Sequence, residues 1–161
     1  MTKEDLGALI LESEHQMYST AKTILRSDYD FSDSIQETIV KALQKIYTLK
    51  KDKYAKTWLM RILINECYTF LRKEKKCVSL EEATPLSEIK AQEKTDYSEL
   101  YLAVNSLKDE LKLPVVLYYA EDFSIREIAQ ILDISEGAVQ KRLARARAKL
   151  KVQLERMEVF G

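Results

Sequence analysis

Glycine, proline, cysteine and histidine are all scarce: the 161 residues hold three Gly, two Pro, two Cys and one His. A β-sandwich or barrel needs turn residues at intervals of about 8–12 positions, and this chain cannot supply them. An all-α fold is expected, with 46% hydrophobic residues to build its core. Cys67 and Cys77 are too few and too isolated for a disulfide framework or a zinc site, and the single His15 cannot provide the missing ligands. They read as plain thiols, with no metal or cofactor expected. No uninterrupted apolar run of about 18 residues occurs, nor a charged-then-apolar leader. A cytoplasmic chain with no membrane insertion of its own is therefore expected. Gly-rich phosphate loops, Ser/His/Asp sets and carboxylates at metal spacing are also missing, which weighs against an enzyme.

What is present is charge, in equal and segregated amounts: 26 basic and 26 acidic residues. Residues 1–49 carry 5 Lys+Arg against 8 Asp+Glu, and residues 50–76 carry 9 against 3. Residues 77–135 carry 5 against 12, and residues 136–151 carry 6 against 1. Two basic islands in acidic surroundings suggest two contact surfaces for a polyanion, since Lys and Arg release condensed counterions from nucleic-acid phosphates. On charge alone, solvated helix faces explain the blocks equally well.

Apolar periodicity divides the chain. Glu4 to Ser27 reads as one helix, with Leu6, Leu9, Ile10, Met17, Ala21, Ile24 and Leu25 at mostly helical spacing. "SDYDFSD" interrupts it, and Ser32 or Asp33 can cap a second helix with an inner stripe of Ile35, Ile39, Ala42, Leu43 and Ile46, ending near Leu49. The basic loop "KKDKYAK" leads to a third helix from about Thr57 to Lys73. The text then turns polar and aperiodic around Pro85. Two small helical domains are expected, 1–76 and 97–161, joined by a polar linker over 77–96.

The second domain carries the sharper local signal. Ser124 followed by Glu127 fits a capping box that starts a helix. Ile125, Ile128, Ala129 and Leu132 form its apolar side, Asp133, Ile134 and Ser135 make a tight turn, and Ser135 caps the next helix. This is the outline of a helix-turn-helix, whose second helix can lie in the major groove. At 100° per residue, Val139, Leu143, Ala146 and Leu150 share one arc and should face the core. The opposite arc holds Gly137, Ala138, Lys141, Ala144, Arg145 and Ala148, flanked by Gln140, Arg142, Arg147 and Lys149. Small residues alternating with long cations suit a helix entering a groove about 12 Å wide. A solvated helix face would normally mix both signs.

The first basic island allows the same treatment. On "TWLMRILINECYTFLRK", Leu59, Ile62, Leu63, Cys67 and Phe70 cluster on one side, leaving Arg61, Asn65, Tyr68 and Arg72 on the other. An aligned Arg, Asn, Tyr and Arg can offer phosphate contacts, an amide for base edges and a ring for stacking. An ordinary polar face is the plainer alternative, and Trp58 reads more readily as a core anchor than as a base platform. Glu66, beside the apolar stripe, suggests only a local ion pair.

Over nearly its whole length the chain resembles an extracytoplasmic-function (ECF) sigma factor of the sigma-70 family. The family pattern D-x-x-Q-E-T followed by W-L-x-R-I-x-x-N is met by Asp33, Gln36, Glu37, Thr38, then Trp58, Leu59, Arg61, Ile62 and Asn65. "LPVVLYYAEDFSIREIAQILDISEGAVQKRLARARAKL" follows the family's region 4. The resemblance implies a non-catalytic RNA polymerase specificity subunit. Asp33, Gln36 and Glu37 would meet the β′ clamp helices of core RNA polymerase, and the second domain would meet the β flap. Asn65 would read the −10 element of promoter DNA, with Lys53, Lys56, Arg61 and Arg72 near backbone and Trp58 and Tyr68 beside them. Gln140, Lys141, Ala144 and Arg145 would face −35 base edges, with Arg126, Ser135, Arg142 and Arg147 on phosphates. An anti-sigma factor, often membrane-bound, would hold such a protein inactive. Two features depart from the pattern: Leu107-Lys108 stands where many relatives have Leu-Pro, with Pro114 then expected in the first turn of the next helix, and no long acidic finger is apparent in the linker.

A stand-alone helix-turn-helix repressor or activator would explain residues 124–151. It would leave the Trp58 to Arg72 face and the Asp33, Gln36, Glu37 patch without a use.

Overall fold

The computed structural model describes residues 1–25, 28–78 and 98–160, excluding the side chains of 28, 74–78, 98 and 157–160. Among the described residues the regular elements are all helical: α1 (Lys3–Glu12), α2 (Glu14–Ile24), α3 (Asp28–Gln44), α4 (Ala55–Val78), α5 (Ser98–Ser106), α6 (Asp109–Val115), α7 (Ile125–Leu132) and α8 (Glu136–Phe160). Short 3-10 turns at Ile46–Thr48 and Asp52–Tyr54 lead from α3 to α4. Most of the expected linker, residues 79–96, together with residue 97 and the side chain of Cys77, lies outside the described residues.

The expected first helix is two helices. The chain breaks at Ser13, which is buried and whose hydroxyl has no hydrogen-bond partner among the described residues. The break lets Leu6 and Met17 both reach the core. A capping box of Thr2 and Asp5 opens α1, and those bonds hold the Asp5 carboxyl below its ordinary range.

The third helix departs from expectation in its start and its buried face. It begins at Asp28, so Ser32 and Asp33 lie inside it rather than capping it. Phe31 explains the earlier start: its ring packs 4.9 Å from that of Tyr18, giving the polar segment a tertiary contact that local propensity does not reveal. The buried face is Ser34, Ile35, Thr38 and Ala42, whereas Leu43 is exposed. Thr38 Oγ1 donates to the Ser34 carbonyl at 2.7 Å and Ser34 Oγ to that of Phe31 at 2.8 Å, so the polar atoms facing α4 are satisfied within the helix. There the Cys67 thiol approaches Ser34 Oγ at 3.9 Å, and burial pushes it up to about 12.

Pro114 also departs from expectation, sitting inside α6 near its end rather than in its first turn. The helix widens immediately afterwards into a π turn over Val116–Ala120, a form in which carbonyls bond one residue further along. At Lys108 the backbone has φ −62° and ψ 148°, within the range proline would impose. The φ there is thus one that a proline would also adopt.

The two halves pack against one another. α4 lies against α7, and α2 against α6 and its π turn. Gln16 Nε2 donates to the Glu121 carbonyl at 2.9 Å across this contact, and Lys56 Nζ lies 5.6 Å from the Phe123 ring centroid. The core runs through both halves, from Leu6, Leu59 and Leu63 to Leu117, Ile128 and Leu143.

Candidate nucleic-acid interface

The helix-turn-helix forms as its residues dictate. Ser124 Oγ accepts from the Glu127 N–H at 3.1 Å, and the Ser124 N–H donates to Glu127 Oε1 at 3.0 Å. Reciprocal capping satisfies two amides that α7 would otherwise leave orphaned. Asp133 ends α7 in the left-handed region, φ 57° and ψ 47°, with its N–H donating to the Ala129 carbonyl. A non-Gly residue there is uncommon, and Asp is among the types that tolerate it. Ser135 Oγ then accepts from the Ala138 N–H at 3.0 Å and starts α8.

On α8 the observed faces follow the expected arcs. Val139, Leu143 and Ala146 are buried and Leu150 is half-buried against the core. Gln140, Lys141, Ala144, Arg145, Arg147 and Lys149 are exposed, as is Arg126 on α7. Lys141 and Arg145 have no ion-pair partner among the described residues. Arg142 is half-buried, with Nε 3.6 Å from Glu110 Oε1. Arg147 donates through Nη1 to the Tyr119 hydroxyl at 3.2 Å.

The α4 face is arranged differently. Leu59, Leu63 and Cys67 are buried and Ile62 and Phe70 half-buried, while Arg61, Asn65 and Arg72 are exposed. Tyr68 is half-buried rather than open, and its phenol is pushed up by burial and then by the nearby Asp109 carboxylate. Trp58 is half-buried against the core, in keeping with an anchor. Lys53 is exposed beside the Tyr54 ring, 5.0 Å from its centroid. Arg72 donates to Thr69 Oγ1 at 3.3 Å.

Periodicity missed what lies on either side of α4. Glu66, itself buried, forms an ion pair with half-buried Lys41 of α3, 25 positions away, and not a local one. Opposite, Arg61 Nη2 lies 3.0 Å from Asp133 Oδ2. A cleft of about 320 Å³ opens there, lined by Arg61, Asn65 and Tyr68 on one wall and Asp109, Glu110 and Asp133 on the other. The hidden signal was apolar breadth: Met60 and Ile64, both buried, widen the stripe of α4 beyond what one packing partner covers. On α3, Asp33, Gln36 and Glu37 are all exposed.

Among the described residues no three His, Cys, Asp or Glu side chains converge as a metal site. No described helix is long and apolar enough to cross a membrane.

Residues 9–77 match the family Sigma-70 region 2, and residues 97–150 match Sigma-70, region 4. The RNA polymerase sigma factor SigV of Bacillus subtilis is 29% identical over 98% of this chain and 96% of that protein. The ECF RNA polymerase sigma factor SigM of Mycobacterium tuberculosis is 30% identical over 88% of this chain and 73% of that protein. Among solved structures, the sigma factor RpoE in complex with the anti-sigma factor NepR from Bartonella quintana superposes with a TM-score of 0.77 at 25% identity, covering 94% of this chain and 98% of that one. CnrH, in complex with the cytosolic domain of CnrY, shares the fold, with a TM-score of 0.71 at 22% identity over 96% of this chain and 90% of that one. With both regions matched in order, and a SigM relative aligned over most of its length, the chain belongs to the ECF group of the sigma-70 family, the non-catalytic RNA polymerase subunits of transcription initiation.

Proposed function

We propose that the chain reads a promoter at two places, through one domain of residues 1–76 and another of 97–161 linked by 77–96. α8 enters the −35 major groove. Gln140, Lys141, Ala144 and Arg145 face base edges, and Arg126, Ser135, Arg142 and Arg147 meet phosphates. α4 and the turn before it take the −10 element as its strands part: Asn65 reads a base, Lys53, Lys56, Arg61 and Arg72 hold backbone, and Tyr68 and Trp58 flank the strand. Extruding a base costs a few kcal/mol, which a preformed cationic and aromatic surface offsets.

The observation that carries this reading is the exposed arc of α8, where cations and small residues alternate opposite a buried apolar arc. Asp33, Gln36 and Glu37 on α3 engage the β′ clamp helices, and the second domain engages the β flap. The protein works in the cytoplasm, where an anti-sigma factor restrains it. The RpoE–NepR complex supports that partner class.

Transcription in vitro with core polymerase on a promoter library tests the proposal. The chain should direct defined start sites, and Asn65→Ala should impair permanganate-detected strand opening more than closed-complex binding. Equal losses in both would remove Asn65 from the base-reading role, and absence of any start site would sink the proposal.

A further inference from the structure

At 100° per residue, Arg142 and Arg147 fall on opposite flanks of the exposed arc of α8, and they are held by different partners. Arg142 is half-buried and faces the Glu110 carboxylate at 3.6 Å, which offsets its charge. Arg147 is exposed, and it donates to the neutral hydroxyl of Tyr119 at 3.2 Å, which leaves its charge undiminished. A guanidinium carries donors only. The phenol oxygen is therefore the acceptor of that bond, and its own proton is not used by it. Among the described residues the Tyr119 hydroxyl meets no acceptor. Yet the side chain is firmly placed. Tyr119 lies in the π turn Val116–Ala120, whose Leu117 is buried and accepts from the N–H of buried Phe123 at 2.9 Å. The Tyr118 ring, packed on the core, meets the Tyr119 ring edge to face at 4.9 Å. With 54% of Tyr119 exposed, the turn holds a hydroxyl donor out beside a free cation. Such π turns occur frequently at functional sites.

We propose that Tyr119 is a further DNA contact of this chain, and that it clamps one phosphate together with Arg147, the arginine supplying charge and the phenol a second hydrogen bond. This rests on the placement of α8 in the −35 groove. The bond between the two side chains serves the clamp in two ways. A hydroxyl that accepts from a cation is polarised and becomes a better donor. The same bond orders the arginine before DNA arrives, so less rotamer freedom is lost on binding. Arg142 lacks this arrangement, because its partner is an anion that a phosphate would have to displace.

The test uses the full chain with core polymerase and a fluorescent promoter duplex in which methylphosphonates replace the −35 phosphates one at a time. Each replacement removes the charge of a single phosphate. Arg147→Ala identifies the phosphate that Arg147 holds, as the position whose replacement no longer weakens binding. Tyr119→Phe keeps the ring against Tyr118 and removes only the hydroxyl. It should weaken binding to the unmodified duplex about three- to tenfold, the scale of one hydrogen bond. It should also reduce the methylphosphonate penalty at that same phosphate and at no other. The salt slope should stay at its wild-type value, because no charge is lost.

Equal binding by wild type and Tyr119→Phe would overturn the clamp. So would a loss that leaves the phosphate scan unchanged, which would make Tyr119 a structural residue, or a reduced penalty at a phosphate other than that of Arg147. If any of these results accompanies the expected loss of base preference in Arg145→Ala, the clamp alone fails and the function proposed above stands. If Arg145→Ala, Arg147→Ala and Tyr119→Phe all bind the −35 element as the wild type does, α8 is not its reader and both fall together.

Discussion

The two basic helices differ in what lies across from them. On α8 the cationic arc faces solvent, because the helix packs on α5, α6 and α7 of its own half with the opposite arc, through Val139, Leu143 and Ala146. The polar arc of α4 looks into a cleft, because this helix packs on α3 with one side and on α7 with another. A helical wheel locates the exposed face when one partner covers the other side. With two partners, part of the polar face becomes interface and its charges acquire intramolecular counterions.

The largest expected effect tests the seat of α4. Replacing Lys41 by Met leaves buried Glu66 without its half-buried partner, which should cost about 2–3 kcal/mol in denaturant unfolding. A loss below about 1 kcal/mol would mean that Glu66 is hydrated or repartnered, and that α4 is held by apolar contacts as α8 is. Next, Arg145→Ala should weaken holoenzyme recognition of the −35 element by about 1–3 kcal/mol and relax base preference there, measured by selection from a randomised site. Arg147→Ala should instead lower affinity evenly across sequences and flatten the salt slope by about 1. Equal changes in base preference would show that the faces of α8 are wrongly divided.

The smallest effect concerns the contact between halves. Burial raises the Glu121 carboxyl above its ordinary 4.5, a Ser19 hydrogen bond and His15 opposing the shift and Asp122 adding to it. A raised acid favours the folded chain most when protonated. Its contribution is therefore full below about pH 4.5 and declines as pH rises through the raised value, leaving a cost near neutrality. Glu121→Gln should raise the thermal midpoint at pH 7.5 and change it little at pH 4. A melting point lowered equally at both values would point to lost packing instead.

Local chemistry was the legible part of the chain. The Ser124–Glu127 box, the Ser135 cap and the division of α8 into faces depend on residues within a few positions of one another, and all appear as expected. The misread features depend on contacts distant in sequence. Phe31 finds Tyr18 and brings its segment into α3, and Lys41 reaches Glu66 across 25 positions. Asp133 meets Arg61 across 72 positions, between parts that charge counting assigned to separate blocks. Pro114 was misjudged because a trailing π turn accompanies its interior position.

The backbone at Lys108 carries one further consequence. Its φ of −62° is an angle a pyrrolidine ring would enforce, yet the residue present leaves the denatured ensemble free to explore others. Restricting that freedom typically contributes about 0.4–1 kcal/mol where the native geometry is already compatible. The junction between α5 and α6 thus gives up some rigidity in the unfolded polypeptide and retains a flexible ammonium-bearing arm in return.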